Sequence, residues 1–355
     1  MPLNRHDVHH LSLDIHAMPC SNRCKHCWVP GAPGKKLVPF EQVSFVIEKL
    51  AEVRQYGLEP GAVFFYDEPT LHPQFLEILE EMSRHNLTRE DSFIATNGVV
   101  LARSGDDYWR RCKAAGMTDL QLTFYGLEAT HDDFAQRRGT FRDLVTTAKR
   151  ALEHGVRLTT GVIFHSGNAR ELAQALDLVR GLDPSGKAVS GWLVFSWQGR
   201  GRSGHRLRAA DYALLPESMR RASLVEERQG VERILGDDAL AAIPAGRQFC
   251  DSFTFQVERD LQVYAGGACD TSGAINAAPE VRQEFALGKL GPEGFGPLLE
   301  QLRQTPSRGL RWLDDVTWGD LATRYGDRAN DEIYWLNDLP NSKWAAAYLL
   351  ERARG

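Results

Sequence analysis

Short apolar runs alternate with longer amphipathic ones along the first 200 residues. Six runs read as strands: Leu11–Ile15, Ala62–Tyr66, Ser92–Thr96, Asp119–Phe124, Arg157–Phe164 and Trp192–Trp197. They are short and mainly apolar, as strands covered on both faces are. Between them, apolar positions recur at three- and four-residue spacing. Val43, Val46, Ile47, Leu50 and Val53 do so in one stretch, and Phe141, Leu144, Val145, Ala148 and Leu152 in another. That spacing gives a helix one face to lay against a sheet. Gly57, Gly116 and Gly155 follow three of the helical stretches, where a left-handed C-terminal cap is expected. Six β/α units in series predict parallel strands with right-handed crossovers. Six units are too few for a closed eight-strand barrel, so the expected fold is α/β, a partial (β/α)6 TIM-like barrel.

The pattern changes after Trp197. Gln198–His205 reads as a basic, glycine-rich loop, and residues 207–246 read as polar helix. Phe253–Val257 and Leu261–Tyr264 flank Glu258-Arg259-Asp260 as the arms of a β-hairpin. Helical stretches follow near 295–304 and 342–353. The expected organisation is a barrel core over 1–206, a helical connector over 207–246 and a small C-terminal α+β domain over 247–355.

Charge and composition narrow the function. The 42 basic and 47 acidic side chains leave a net charge of −5, which offers no electrostatic footprint for nucleic acid. No apolar run approaches the roughly 18 residues of a membrane span. The opening MPLNRHDVHH has no apolar signal core, so a cytoplasmic protein in a reducing compartment is expected. There, clustered cysteines are metal ligands more often than disulfides. Cys20, Cys24 and Cys27 form a CxxxCxxC cluster just past the first strand. Three thiolates on one loop can serve three irons of a 4Fe–4S cluster and leave the fourth iron open to a ligand. Zinc, completed by His26 or a distant histidine, is the competing reading.

Further motifs follow the strand ends in order. They are Tyr66-Asp67-Glu68-Pro69, Thr96-Asn97-Gly98, Thr123-Phe124-Tyr125-Gly126, Thr130-His131-Asp132 and Arg138-Gly139-Thr140-Phe141. With the cysteines, they resemble the radical S-adenosylmethionine (radical SAM) superfamily over residues 10–200. Two departures stand out. Tyr66-Asp67 replaces the glycines of that family's GGEP-like motif, and His26 takes the place of its usual aromatic. The resemblance implies a 4Fe–4S cluster on Cys20, Cys24 and Cys27, with S-adenosyl-L-methionine (SAM) on the open iron. It implies Glu68 for SAM's amino group and Arg138 for its carboxylate. His26, Asn97, Thr123, Tyr125 and His165 are then further cofactor contacts. It also implies an electron donor such as flavodoxin or ferredoxin. The substrate is then a small molecule or peptide, in the modification of a peptide or of a sugar- or aminoglycoside-like natural product. Plainer readings stand beside these. Glu68 can cap a helix start, Asn97-Gly98 can be a turn, and Arg138 can be one of two solvated arginines. Tyr125 can be core and His165 a loop residue.

The stretch from Arg247 to Asp270, with Cys250 and Cys269, resembles the SPASM/twitch extension of such enzymes. No cysteine follows Cys269, and two thiolates do not complete the usual auxiliary cluster. A domain that kept its fold and lost its cluster is expected. One of the two thiols is then a candidate catalytic hydrogen donor, Cys250 ahead of Cys269, which favours epimerisation. Dehydrogenation or rearrangement by a radical SAM enzyme and a zinc-binding interaction module are the alternatives. Cys112, beside Trp109 on a helical pattern, reads as a buried apolar residue.

Overall fold

The structure is a computed structural model. It describes residues 10–16, 20–27, 37–66, 68–88, 94–182, 190–193, 205–212, 214–215, 224–226, 252–266, 278–325, 333–335 and 343–355. Six strands alternate with helices as the pattern predicts. The strands are β1 (His10–His16), β2 (Glu59–Tyr66), β3 (Ile94–Thr96), β4 (Asp119–Phe124), β5 (Arg157–Phe164) and β6 (Ser190–Leu193). The helices between and after them are α1 (Phe40–Ala51), α2 (Phe75–Arg84), α3 (Asp106–Ala114), α4 (Glu128–Ala135), α5 (Thr140–Glu153) and α6 (Leu172–Leu182). β1 pairs parallel with β2, and β3 to β6 form a parallel sheet in chain order. β3 lies beside β2 without a ladder among the described residues. Among the described residues the sheets do not close, and the fold is a partial barrel.

Helix burial explains the spacing read from sequence. α1 buries Val43, Val46, Ile47 and Leu50, and α5 buries Phe141, Leu144, Ala148 and Ala151. Each set lies on one face of a 3.6-residue period, and that face meets the sheet. The strands feed the same core with alternate residues. Leu120, Leu122 and Phe124 of β4 and Leu158, Val162 and Phe164 of β5 belong to it. The intervening Gln121 and Thr123 stay half-buried on the opposite, inner face.

The C-terminal hairpin is β8 (Ser252–Glu258) and β9 (Gln262–Gly266), as its sequence predicts, with β7 (Leu224–Glu226) preceding it. β8 also pairs parallel with β1 over seven residues, His10↔Ser252 to His16↔Glu258. The hairpin therefore extends the barrel sheet on the edge opposite β2, and β10 (Ala286–Lys289) adds to β9. Helices at Gly296–Gln304 and Lys343–Arg354 match the helical stretches of the sequence. Leu224–Glu226, read as helical connector, is a strand instead, because it finds an antiparallel partner in Ile333–Trp335. No helix among the described residues is long and apolar enough to cross a membrane.

Candidate active site

The cysteine loop begins just past β1, at the C-terminal end of the strand, where active sites of parallel β/α folds gather. Cys20, Cys24 and Cys27 are half-buried thiols on it. The loop is fixed to the end of α4. The Arg23 amide donates to the Ala135 carbonyl at 3.1 Å, and the Lys25 amide to that of Phe134 at 2.8 Å. Lys25 Nζ also pairs with Asp133 at 2.5 Å. Within the loop, the Cys27 amide closes a turn on the Cys24 carbonyl at 3.0 Å.

Glu68 lies two residues past the end of β2, and none of it is exposed. It stands at the start of a short 3-10 turn (Pro69–Leu71), but its carboxylate makes no capping bond there. Instead, the two oxygens gather three donors. Oε1 accepts from the hydroxyls of Thr70 and Thr96, the latter at 2.7 Å, and Oε2 accepts the Asn97 amide at 2.6 Å. Burial pushes the Glu68 carboxyl above the usual range, and the three donors oppose that. Glu68 is thus a fully buried acceptor at the start of this turn.

Asn97 joins the carboxylate to the cysteine loop. Its Oδ1 accepts the Val99 amide at 3.1 Å, which turns Nδ2 toward Ser21 Oγ at 3.1 Å and Cys20 Sγ at 3.5 Å. The Asn22 amide donates to the same sulfur at 3.4 Å. Burial, helped by the Glu68 charge, pushes the Cys20 thiol up to about 12. A thiol held protonated this firmly becomes a thiolate when a metal replaces the proton. Gly98 completes the turn at φ 77°, and a Cβ there would meet Thr147 Oγ1 at 2.9 Å. The turn reading of Asn97-Gly98 therefore holds together with a contact to the cysteine loop.

Tyr125, just past β4, is buried in a second small cluster with Phe134, Ala135 and Ile163, against which Cys24 packs. Its ring lies 5.1 Å from His26, 5.0 Å from His131 and 4.9 Å from Phe134 between centroids. Burial raises its phenol well above 10, and so does a hydrogen bond to Cys24. Cys20 and Cys27 are near enough to add to that. Its backbone is pinned at both ends. The amide donates to His131 Nδ1 at 3.1 Å, and the carbonyl accepts from His165 Nε2 at 2.8 Å and Asn168 Nδ2 at 3.1 Å.

His165 is occupied by the backbone on both ring nitrogens, because Nδ1 accepts the Gly167 amide at 3.2 Å. Its ring stacks on Phe134 at 4.0 Å. Burial lowers its pKa to about 4. His26 also stacks on Phe134, with ring centroids 5.5 Å apart. Thr123 sits on the inner face of β4 opposite Gly161 of β5. Arg138 is exposed at the turn between α4 and α5, a turn held by Asp132 accepting the Gly139 and Phe141 amides at 2.5 and 2.9 Å. Cys250 and Cys269 lie outside the described residues. Cys112 is fully buried in the main core beside Trp109.

Sequence reading missed the part played by His131, Thr70, Thr96 and Phe134. The signal for His131 and Phe134 was their i, i+3 spacing on one face of α4, directly after the strand.

Among the described residues, no three His, Cys, Asp or Glu side chains gather tightly enough to hold a single metal ion. A mononuclear zinc site needs that convergence. In a 4Fe–4S cluster each thiolate holds its own iron, so the sulfurs stand apart around it. Three thiols on one pinned loop, one of them with two donors on its sulfur, fit the cluster.

Comparison with known proteins agrees. The family described as Radical SAM superfamily matches residues 15–179. The antilisterial bacteriocin subtilosin biosynthesis protein AlbA of Bacillus subtilis is 24% identical over 189 residues, covering 52% of this chain and 39% of AlbA. This chain thus matches well under half of that relative's length. The structure of native anSMEcpe with bound AdoMet and Cp18Cys peptide superposes with a TM-score of 0.58. Sequence identity is 16%, and coverage is 97% of this chain and 98% of that one. Streptococcus suis SuiB bound to S-adenosylmethionine superposes at 0.54, with 14% identity over 86% of this chain and 69% of that one. At such identities the superpositions establish the shared fold.

Proposed function

We propose, from the match of residues 15–179 to the Radical SAM superfamily, that the chain is a radical SAM enzyme that modifies a peptide or peptide-derived natural product. The observation that carries the reading is the joining of Glu68, Asn97 and the cysteine loop at one strand-end surface. When bound, the 4Fe–4S cluster supplies one electron that cleaves SAM to methionine and a 5′-deoxyadenosyl radical.

The residues divide the remaining work. Cys20, Cys24 and Cys27 hold the cluster. The Glu68 carboxylate would take an N–H of SAM's ammonium group. A charge-assisted bond in so dry a site strongly orients the ligand. Arg138 reaches the carboxylate of SAM from the α4–α5 turn. Thr123, on the inner face of β4, lines the space in which the adenosyl group lies. His165 acts through Tyr125, since its nitrogens are spent on the backbone and it fixes the Tyr125 carbonyl.

The peptide part of the reading is supported by two relatives, one a bacteriocin biosynthesis protein and the other a structure holding a peptide. The narrower assignment is epimerisation, with Cys250 or Cys269 returning a hydrogen atom to the substrate radical. It draws its support from the sequence, where two cysteines lie in the segment around the β8–β9 hairpin. The reduced holoprotein incubated with SAM should release 5′-deoxyadenosine, and more of it with the correct peptide. No 5′-deoxyadenosine from a protein with a full complement of iron would overturn the proposal.

A further inference from the structure

Asn97 and Tyr125 both read from sequence as contacts of SAM; in the structure Asn97 Nδ2 lies 3.5 Å from Cys20 Sγ, and Cys24 packs on the cluster that holds Tyr125. Asn97 cannot turn its amide round without setting Nδ2 against the Val99 N–H, so Nδ2 stays on the Cys20 side. Tyr125 is fixed by its own backbone bonds to His131, His165 and Asn168, and its ring is wedged among His26, His131 and Phe134. Cys24 packs against the small cluster to which Tyr125 belongs. Both donors come from outside the cysteine loop, from the turns after β3 and β4.

We propose that Asn97 and Tyr125 are positioning residues that set the reduction potential of the cluster, by donating hydrogen bonds to the Cys20 and Cys24 thiolates. The inference rests on the radical SAM reading of the same loop. Its physics is general. A reduced cluster carries one more negative charge than an oxidised one, and part of that charge resides on the ligating sulfurs. A donor aimed at such a sulfur stabilises the reduced form more, and the buried setting strengthens the effect. One electron enters from an external reductant, no bond to sulfur breaks and no proton moves. The donors thus make the cluster easier to reduce.

The test uses the reconstituted holoprotein without SAM, titrated spectroelectrochemically. Tyr125→Phe keeps the ring and removes only the hydroxyl. Asn97→Ala keeps the backbone amide that serves Glu68. Each variant should shift the midpoint to more negative potential, by up to about tenfold in the one-electron equilibrium, or about 59 mV. The double variant should shift it further. Iron content and thermal melting of Tyr125→Phe should match the parent. Unmoved potentials in both variants with full iron would overturn the assignment. A tenfold loss of SAM affinity at unchanged potential would overturn it too, returning these residues to the SAM site. A parent protein that binds no iron–sulfur cluster would overturn the radical SAM reading, and this inference with it.

Discussion

Replacing Glu68 by Gln isolates the role of its charge. The choice of Gln follows from the geometry. Alanine would strip the acceptor from three buried donors, Thr70, Thr96 and Asn97, each costing about 1–3 kcal/mol, and would confuse folding with binding. Gln keeps an oxygen for the two threonine hydroxyls and loses the charge and one bond, that from the Asn97 amide. At the ligand, what disappears is a charge-assisted bond between the carboxylate and an ammonium group. Such a bond contributes about 1.5–3 kcal/mol, so SAM affinity should fall roughly 10- to 150-fold. The assay is equilibrium binding of SAM to the anaerobically reconstituted variant, with iron content and a denaturant melt measured on the same sample. Full iron, a modest loss of stability and a dissociation constant within twofold of the parent would refute the reasoning.

Other outcomes follow from the same geometry. Burial holds His131 and His165 at about 4, below their unfolded value near 6.5. Between those values the unfolded chain binds protons that the folded chain does not, so stability falls as pH drops from 6.5 to 4. The loss is up to roughly 3 kcal/mol per histidine, and it vanishes above 6.5. Urea midpoints at pH 7.5 and 5 should therefore differ, and His131→Asn should shrink the difference; equal midpoints in the parent would contradict the burial argument. Gly98→Ala should destabilise the chain by about 1–3 kcal/mol, because φ is 77° and the new Cβ meets Thr147; an unchanged melting temperature would refute the close approach. If a thiol returns hydrogen to the substrate, turnover in deuterated water places deuterium at the product carbon, and Cys250→Ala or Cys269→Ala cleaves SAM without finishing product. Full product from both variants would eliminate the thiol donor.

The barrel was legible because its signals are local. The strand runs and the one-sided helices of α1 and α5 each report burial within a dozen residues, and the hairpin announced itself by Glu258-Arg259-Asp260. The attachment of β8 to β1 was not legible, since a parallel pairing of residues 10 and 252 leaves no mark in either segment. The site divides in the same way. The three cysteines and Glu68 follow strand ends in recognisable motifs. That Glu68 is satisfied by Thr96 and Asn97 from the next strand depends on how β2 and β3 sit side by side. His165 illustrates the limit most clearly. Its position after β5 pointed to a ligand contact, whereas both of its nitrogens are spent on backbone groups, including one 40 residues earlier in the chain.

The most direct test of the cluster is its loss. Protein reconstituted anaerobically with iron and sulfide should carry about four irons per chain, absorb broadly in the visible, and release 5′-deoxyadenosine from SAM on reduction. The variant with Cys20, Cys24 and Cys27 all replaced by Ala should lose nearly all of the iron and all of the cleavage. Near-full iron in that variant, or a parent protein that takes up zinc and rejects the cluster, would contradict the account.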